Sequence, residues 1–292
     1  MDQLAKRRFV SQRYALLLAL CATTAVAQEP PGRGERPVPI QDNIFLVEEA
    51  YNQGPGIVQH ISTFARSTRG GGWGYTFTQE WPVPGQRHQL SYTLPISRTD
   101  GDGSARYELG DVAVNYRYQI GGEEGDATAF APRVTLVLPT GASTRGFGAG
   151  GTGMQINLPF SAELPASLVA HSNAGATYTP RARDPLGNVA RAVDYGLGQS
   201  VIWLAHPKLN LMLEGVWTRV AEVIGPGRTE RSTEVLFSPG IRGALDLPSG
   251  LQIVPGIAFP IGVGPSRGER SVFVYLSFEH PFHRAGAVVT HR

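Results

Sequence analysis

Apolar and polar residues alternate with a period of two along most of the chain beyond residue 55. Between Val112 and Ile120, apolar or aromatic side chains take nearly every second position, and polar or small side chains lie between them. This alternation gives an extended strand one apolar face, whereas an amphipathic helix would repeat about every 3.6 residues. The same pattern, clear or weaker, predicts strands over 56–66, 72–83, 89–96, 112–120, 133–138, 154–161, 167–180, 191–206, 208–222, 232–247, 253–263 and 272–282.

The predicted connections differ in length between the two ends of the strands. Even-numbered strands are followed by short turns such as PVPGQ and HPK, and odd-numbered strands by longer, glycine-rich and basic stretches such as RTDGDGSAR and PRARDPLGNVARA. Short turns at one end, longer loops at the other and an even strand count are typical of outer-membrane barrels. We therefore predict an all-β fold, a closed antiparallel transmembrane β-barrel of about 12 strands with short periplasmic turns and longer extracellular loops.

A lipid bilayer requires such a sheet to close. The bilayer core has no water to bind backbone N–H and C=O groups, so a sheet within it must leave no unpaired edge. The apolar face of each strand then contacts lipid. A soluble β-sandwich would turn the same face inward with an identical periodicity, so it stays an alternative on pattern alone.

The first 27 residues predict export. A basic start at 6–13 precedes the apolar run Tyr14–Leu20, and small residues at 25–27 supply the cleavage motif of a secretory signal peptide. Removal of residues 1–27 would also remove Cys21, the one cysteine of the chain. The mature protein would then lack disulfides, thiolate metal ligands and a cysteine nucleophile. Together with the predicted barrel, the signal peptide predicts a location in the bacterial outer membrane.

The rest of the chain divides into four parts. Residues 28–40 are proline-rich and charged, which predicts a disordered lead-in. Residues 41–55 form a short segment with its own polar cluster, residues 56–282 hold the predicted barrel, and residues 283–292 form a C-terminal tail. Many barrels end on an aromatic residue that the assembly machinery reads, and Phe282 is the candidate for that signal.

Composition and charge narrow the function classes further. The 36 Gly and 22 Pro residues disfavour long helices and suit frequent tight turns. The 26 basic and 24 acidic residues become 22 and 23 once residues 1–27 are removed, so the mature chain is close to neutral. Nothing in this balance favours nucleic-acid binding.

One segment resembles a known family. The sequence DNIFLVEEAYNQGPGIVQHI at Asp42–Ile61 resembles the opening of bacterial outer-membrane proteins in the family named for the MetA pathway of phenol degradation. The stretches GDVAVNYRYQ (110–119), PRVTLVLPTG (132–141) and GTGMQINLPFS (151–161) agree with it. The resemblance implies an outer-membrane channel or transporter for small, hydrophobic or aromatic compounds, and it names no substrate.

If the apolar face contacts lipid, the polar face of each strand lines the lumen. The candidates for this lining are polar residues of both charges: Asn115, Arg117, Arg133, Gln155, Asn157, Glu214, Arg219, Arg242 and Glu279. They would form either a polar permeation path or a salt-bridge and hydrogen-bond network that only satisfies buried polar groups.

A second candidate site precedes the first predicted strand. Its members form the densest polar cluster of the resembling segment: Glu48, Glu49, Tyr51, Asn52 and Gln53. We predict that this segment folds into the periplasmic mouth as a plug or gate, with one or two helical turns ahead of the Gly-Pro-Gly at 54–56. The alternative is a structural lead-in that closes the base of the barrel.

Catalytic and metal-binding patterns point away from an enzyme. His171 and Ser172 lie on opposite faces of a predicted strand, and the seven histidines show no HExxH spacing. The glycine-rich stretch 146–153 stands between two strands, where a phosphate-binding loop needs a following helix. We therefore predict no enzymatic activity, no catalytic residue, no metal and no cofactor.

The predicted function is an outer-membrane channel or transporter for small, hydrophobic or aromatic compounds. The predicted partners are outer-membrane lipid, lipopolysaccharide, the barrel-assembly machinery and a small-molecule solute. Two alternatives stay open: a plugged barrel with a structural or surface-contact role, and a soluble periplasmic β-sandwich carrier.

Overall fold

The computed structural model describes residues 40, 42, 44–101, 104–122 and 126–281. The predicted signal peptide (1–27), nearly all of the predicted lead-in and the predicted tail (283–292) lie outside these residues, as does Phe282. Among the described residues, none forms a helix of the length and hydrophobicity needed to span a bilayer.

The described chain forms a closed antiparallel barrel of 12 strands, as predicted. Several strands consist of two short segments separated by a brief interruption. The strands are β1 Ile57–Ser67, β2 Trp73–Pro82, β3 His88–Gly101, β4 Ser104–Leu109 with Val112–Tyr118, β5 Thr128–Phe130 with Arg133–Leu138, β6 Gly153–Asn157 with Phe160–Leu164, β7 Leu168–Arg183, β8 Val189–His206, β9 Leu209–Gly225, β10 Arg228–Gly243 with Leu245–Asp246, β11 Gln252–Ala258 with Ile261–Gly262, and β12 Ser271–Pro281.

Closure is complete because the first strand pairs with the last. Ile57 lies opposite Pro281 and Ser67 opposite Ser271, with unbroken antiparallel register between them. Each strand thus has two neighbours, and the sheet has no free edge. The β-sandwich alternative is therefore wrong, since a sandwich consists of two separate sheets.

Proline accounts for three of the interruptions. The breaks in β5, β6 and β11 contain Pro132, Pro159 and Pro260. Proline lacks the N–H that a strand donates to its neighbour, so it interrupts the ladder without opening the ring. Neighbouring backbone groups bridge the gap, as where Ala131 N–H donates to Pro159 O at 3.2 Å.

Apolar side chains cover the outer face of the barrel. Leu136, Ile156 and Val274 are 43%, 49% and 43% exposed, and each lies at a position that the period-two pattern assigns to the apolar face. An exposed apolar surface that encircles a barrel suits contact with acyl chains, whereas a soluble protein rarely carries one.

The connections at the two ends of the barrel are more alike in length than the sequence predicts. The stretches 98–106, 180–192 and 224–232 were expected to be long loops, yet most of their residues extend β3, β4 and β7–β10 as paired strands. Only short hairpin turns such as 184–188 remain between them. The extra length at this end therefore lies mainly in strands that continue beyond the apolar band, because exposed residues such as Arg183 and Arg231 still pair through their backbones.

Candidate functional site

Residues 40–56, which we call the internal segment, lie inside the barrel. Counting back from β1, Gln53 contacts β3, Asn52 contacts β4 and Ala50 contacts β6. The contacts then pass to β7 at Glu48, to β9 at Val47 and to β12 at Asp42. The segment thus makes about one circuit of the inner wall, in the half of the barrel that carries the short turns.

Side chains of the wall bind the backbone N–H groups of the segment. Glu214 Oε1 accepts hydrogen bonds from the N–H groups of Leu46 and Val47 at 2.9 and 3.0 Å. The N–H groups of residues 48, 50, 52 and 53 donate in the same way, to Asn173 Oδ1, Ser161 Oγ, Gln119 Oε1 and Gln89 Oε1 at 2.8–2.9 Å. Buried peptide groups must find partners, and here the partners are side chains of the wall.

Two arginines bind the carbonyl groups of the segment. Arg117 Nη1 and Nη2 donate to Glu49 O and Tyr51 O at 3.0 and 2.7 Å, and Arg117 Nε donates to Asn52 Oδ1 at 2.8 Å. Arg242 Nη1 and Nη2 donate to Asp42 O and Ile40 O at 2.6 and 2.8 Å. The planar guanidinium presents several donors in fixed directions, which suits it to binding consecutive peptide groups.

The ring of Phe45 anchors the first half of the segment in an apolar recess. Its centroid lies 5.6 Å from that of Phe273 and 5.2 Å from that of Tyr275. The recess exists because Gly240 and Gly256 face inward on β10 and β11: a Cβ atom on Gly240 would lie 2.9 Å from the ring, and one on Gly256 would overlap it. The surrounding cluster includes Ile40, Ile44, Val47, Ile61, Val169, Ile202, Met212, Val216, Val254 and Ala258.

A group of carboxylates meets near the first half of the segment. Asp42 accepts hydrogen bonds from the hydroxyl groups of Tyr275 and Ser277, both at 2.6 Å, and from Gln59. Burial raises the pKa of Glu49 to about 8; the charge of Arg242 acts against this shift, and that of Asp42 adds to it. The docked segment therefore favours the protonated form of Glu49.

Eight of the nine predicted lining residues face the lumen. Asn115, Arg117 and Arg242 are only 2–3% exposed there, and Glu214 is fully buried. Arg133 donates to Asn115 and Gln155, with N–O distances of 3.2 and 2.8 Å. Asn157 contacts Asn173 through its amide, and Glu279 lies opposite Gln59 on the inner side of the sheet. Whether this lining forms a permeation path stays a prediction.

The structure corrects the prediction for Arg219. This residue lies on the outer face, exposed, opposite Tyr195 of β8. Glu214 and Arg219 stand on the same strand an odd number of positions apart, so in a regular strand they point to opposite faces. With Glu214 inside, the prediction that Arg219 lines the lumen is wrong.

The predicted plug residues all belong to the internal segment. Glu48 forms an ion pair with Arg133 at 2.7 Å, and Tyr51 packs on the small apolar cluster of Ala50, Ala129 and Ala131. The predicted helical turns are wrong, since residues 44–54 form bends and irregular backbone. Their N–H groups bind the wall and not carbonyl groups of their own chain. The gating role stays a prediction.

Sequence reasoning missed several residues that hold the segment: Gln59, Gln89, Gln119, Ser161, Asn173, Gly240 and Gly256. Gln119 directly follows β4, and the others stand at inward positions of strands, which was a usable signal for the polar ones. The role of Ser161 is visible only in the structure. Its hydroxyl contacts His171 Nδ1 at 2.7 Å and accepts the N–H of Ala50, so this buried serine and histidine support the segment.

Comparisons with solved structures place the fold among outer-membrane barrels. The COG4313 outer membrane channel from Pseudomonas putida F1 aligns with a TM-score of 0.60 at 13% identity, covering 79% of this chain and 97% of that one. The NanC porin aligns at 0.47 and 13% identity over 76% and 98%, and the translocator domain of the autotransporter NalP from Neisseria meningitidis at 0.42 and 13% over 77% and 87%.

Comparisons of sequence alone gave no match to any family model or curated protein. The resemblance of Asp42–Ile61 to the MetA-pathway family therefore stays a prediction. The TM-score of 0.60 with the COG4313 channel shows a shared fold. At 13% sequence identity, the likeness carries no function over to this chain.

Proposed function

We propose that this chain is an outer-membrane channel for small molecules, held closed by the internal segment. The observation that carries the proposal is the way the segment is attached. Side chains of the wall bind its peptide groups, whereas the strands bind one another through their backbones. The segment can therefore leave without breaking the barrel, because every ladder of the sheet stays paired.

The wall also carries polar groups that the segment does not use. Ser200, Glu214 and Ser238 lie side by side on β8, β9 and β10 and face inward. Within the part of the chain that the structure describes, Ser200 Oγ, Glu214 Oε2 and Ser238 Oγ have no hydrogen-bond partner. Buried polar atoms need water or another polar partner, so these groups favour a lumen that admits water and polar parts of solutes.

Deletion of residues 40–55 tests the proposal in planar lipid bilayers. The deleted protein should show steady conductance in most insertions, and the full-length protein should be mostly closed with brief openings. Heat-modifiable migration on a gel would establish first that the shortened barrel is folded. A folded shortened barrel that conducts no more than the full-length protein would overturn the proposal.

A structural barrel without transport is the second candidate, since the lumen of the described structure is occupied. The same bilayer recording separates the two candidates, because a structural barrel stays silent with the segment present or absent.

The proposed solutes are small, hydrophobic or aromatic compounds, and only the sequence resemblance supports this class. Liposome swelling with the shortened barrel tests it. Faster entry of benzoate or a phenol than of a sugar of similar mass would support the class, and equal or reversed rates would contradict it.

A further inference from the structure

The outer face carries exposed arginines near the end opposite the short turns on three neighbouring strands. On β8, β9 and β10 the outward positions are mostly apolar from the periplasmic end upward, and each series ends at an exposed arginine: Arg191, Arg219 and Arg231. On β9, for example, Leu209, Leu211, Leu213 and Trp217 precede Arg219. An arginine on a lipid-facing surface is unfavourable at the bilayer centre and tolerated at its edges.

The depth of Arg219 matches the upper edge of the apolar band. It follows Leu209, the first residue of β9, by ten positions. With about 3.3 Å per residue and a strand tilt of about 40°, Arg219 lies roughly 25 Å above the periplasmic end, which is the height of a typical apolar band. Its guanidinium group therefore lies at the level of lipid headgroups in the outer leaflet.

Two of these arginines flank one aromatic ring. The guanidinium carbon of Arg231 lies 5.6 Å from the ring centroid of Tyr195, and Arg219 lies directly opposite Tyr195 in the strand register. Arg231 lies opposite Ala221 of β9, two positions beyond Arg219, so its side chain crosses β9 next to Arg219 to reach Tyr195 on β8. The stacking holds one positive charge close to the other.

These two charges lack a carboxylate partner among the described residues, where the ion pairs join other side chains. Glu222 and Glu230 pair with each other on the adjoining hairpin, and each stands an odd number of positions from Arg219 or Arg231, so they alternate to the other face of the sheet. Two neighbouring guanidinium groups repel each other unless an anion lies between them. Phosphate suits this position because it accepts paired hydrogen bonds from arginine.

We propose that Arg219, Arg231 and Tyr195 bind a phosphate group of a phosphorylated glycolipid in the outer leaflet. The proposal rests on the outer-membrane location proposed above but not on transport. The acyl chains would lie along the apolar side chains below, such as Trp217 and Leu213.

The same combination recurs on the opposite part of the wall. Arg66 on β1 lies opposite Trp73 on β2, and both face outward near the same end. Beside Arg66 runs a groove of about 370 Å³, lined by Phe64, Val272 and Val274 among others. This groove offers apolar surface for an acyl chain directly below a cationic group.

Native mass spectrometry of the full-length protein in detergent tests the proposal with four probes: bisphosphorylated lipid A, dephosphorylated lipid A, phosphatidylethanolamine and inorganic phosphate. Bisphosphorylated lipid A should bind at micromolar concentration, and the other three should bind at least about tenfold more weakly. The double substitution Arg219→Ala with Arg231→Ala should weaken lipid A binding by about tenfold or more.

Two further variants give the controls. Lys208→Ala removes a positive charge from a periplasmic turn and should leave lipid A binding unchanged. Arg66→Ala should abolish lipid A binding beside Arg66 and leave lipid A binding at β8–β10 unchanged. Equal binding by the wild type and the double variant, equal binding of dephosphorylated lipid A, or tight binding of inorganic phosphate alone would overturn the proposal. Heat-modifiability and bilayer conductance of the double variant should match the wild type, so failure of this proposal leaves the proposed channel untouched.

Discussion

The two halves of the internal segment both bind side chains of the wall through hydrogen bonds, and they differ in how much apolar surface they bury. Residues 40–47 place Ile40, Ile44, Phe45 and Val47 in the apolar cluster on the β8–β12 side. Residues 48–53 are held mainly by hydrogen bonds to polar side chains of β1–β7, and only Ala50 and Tyr51 pack on apolar groups.

The difference assigns a separate task to each half. Burial of apolar surface contributes most of the free energy of docking, because released apolar groups have no favourable contact with water. Hydrogen bonds to the wall contribute less net free energy, since released peptide groups bind water instead. These hydrogen bonds fix the position of the segment along the wall, because each N–H group binds one particular acceptor. The first half thus supplies strength and the second half supplies register.

Phe45→Ala should have the largest effect on docking. Loss of a buried phenyl ring costs about 3–5 kcal/mol, which would raise the released fraction by two orders of magnitude or more. Ala50→Cys provides the measurement, since a maleimide should label this buried position only after release. The matched control is Phe237→Ala, which removes an outward ring 49% exposed on β10 and should leave the labelling rate unchanged. Equal rates for the two variants would contradict the assignment of strength to the first half.

A rise in pH from about 4.5 to 8 should weaken docking of the segment through Glu49. Its pKa is about 8 when docked and 4.5 as an ordinary carboxyl group. Below about pH 4.5 both states are protonated and docking is at its strongest. Between about 4.5 and 8 the released segment loses the proton that the docked one keeps, so docking weakens as pH rises, by at most about tenfold per pH unit.

Channel opening recorded between pH 5 and 8 checks this prediction. The fraction of time open should increase with pH in the wild type. Glu49→Gln should remove most of that dependence, because its amide cannot ionise. Opening that decreases with pH, or an unchanged dependence in the variant, would contradict the role of Glu49.

Arg117→Met should have an intermediate effect in the second half. It leaves two buried carbonyl groups and Asn52 without their donor, which costs about 2–3 kcal/mol. Labelling of Ala50→Cys should rise by about 30-fold to 150-fold. Arg117→Lys keeps the charge but not the fork of donors, and it should restore only part of the protection. Complete protection in the lysine variant would show that charge alone holds this half.

Ser161→Ala should have the smallest effect, because it removes one neutral acceptor for the N–H of Ala50. About 1 kcal/mol is expected, or roughly a fivefold rise in labelling of a cysteine placed at Val47. An effect as large as that of Phe45→Ala would mean that hydrogen bonds, and not apolar burial, dominate docking.

The barrel could be predicted because period two survives in its strands. Val112–Ile120 shows this well, since each outward side chain contacts only lipid or solvent and its polarity reports its face. The lengths of β7–β10 were underestimated because residues such as Arg181 and Arg191 lie in strand extensions beyond the apolar band. These extensions have no apolar face, so the alternation of apolar and polar residues does not reveal them.

The candidate site was predictable only in part. The polar residues of the segment stood out by composition. The recess of Phe45 depends on Gly240 and Gly256, which lie on two neighbouring strands far from Phe45 in the chain. The helical turns predicted within 46–53 are absent because of contacts with residues far away in the chain. The N–H groups of this stretch find acceptors such as Gln119 and Asn173 on distant strands, and local propensity cannot report them.

A reversible cross-link between the segment and the wall tests the account most directly. Ala50→Cys with Ser161→Cys joins two residues whose backbone N and side-chain Oγ lie 2.8 Å apart in the native protein. With the bond formed, as verified by mass, the barrel should stay closed in planar bilayers at every pH tested, and reduction should restore brief openings. Equal conductance in the oxidised and reduced states of this variant would contradict closure of the lumen by the internal segment.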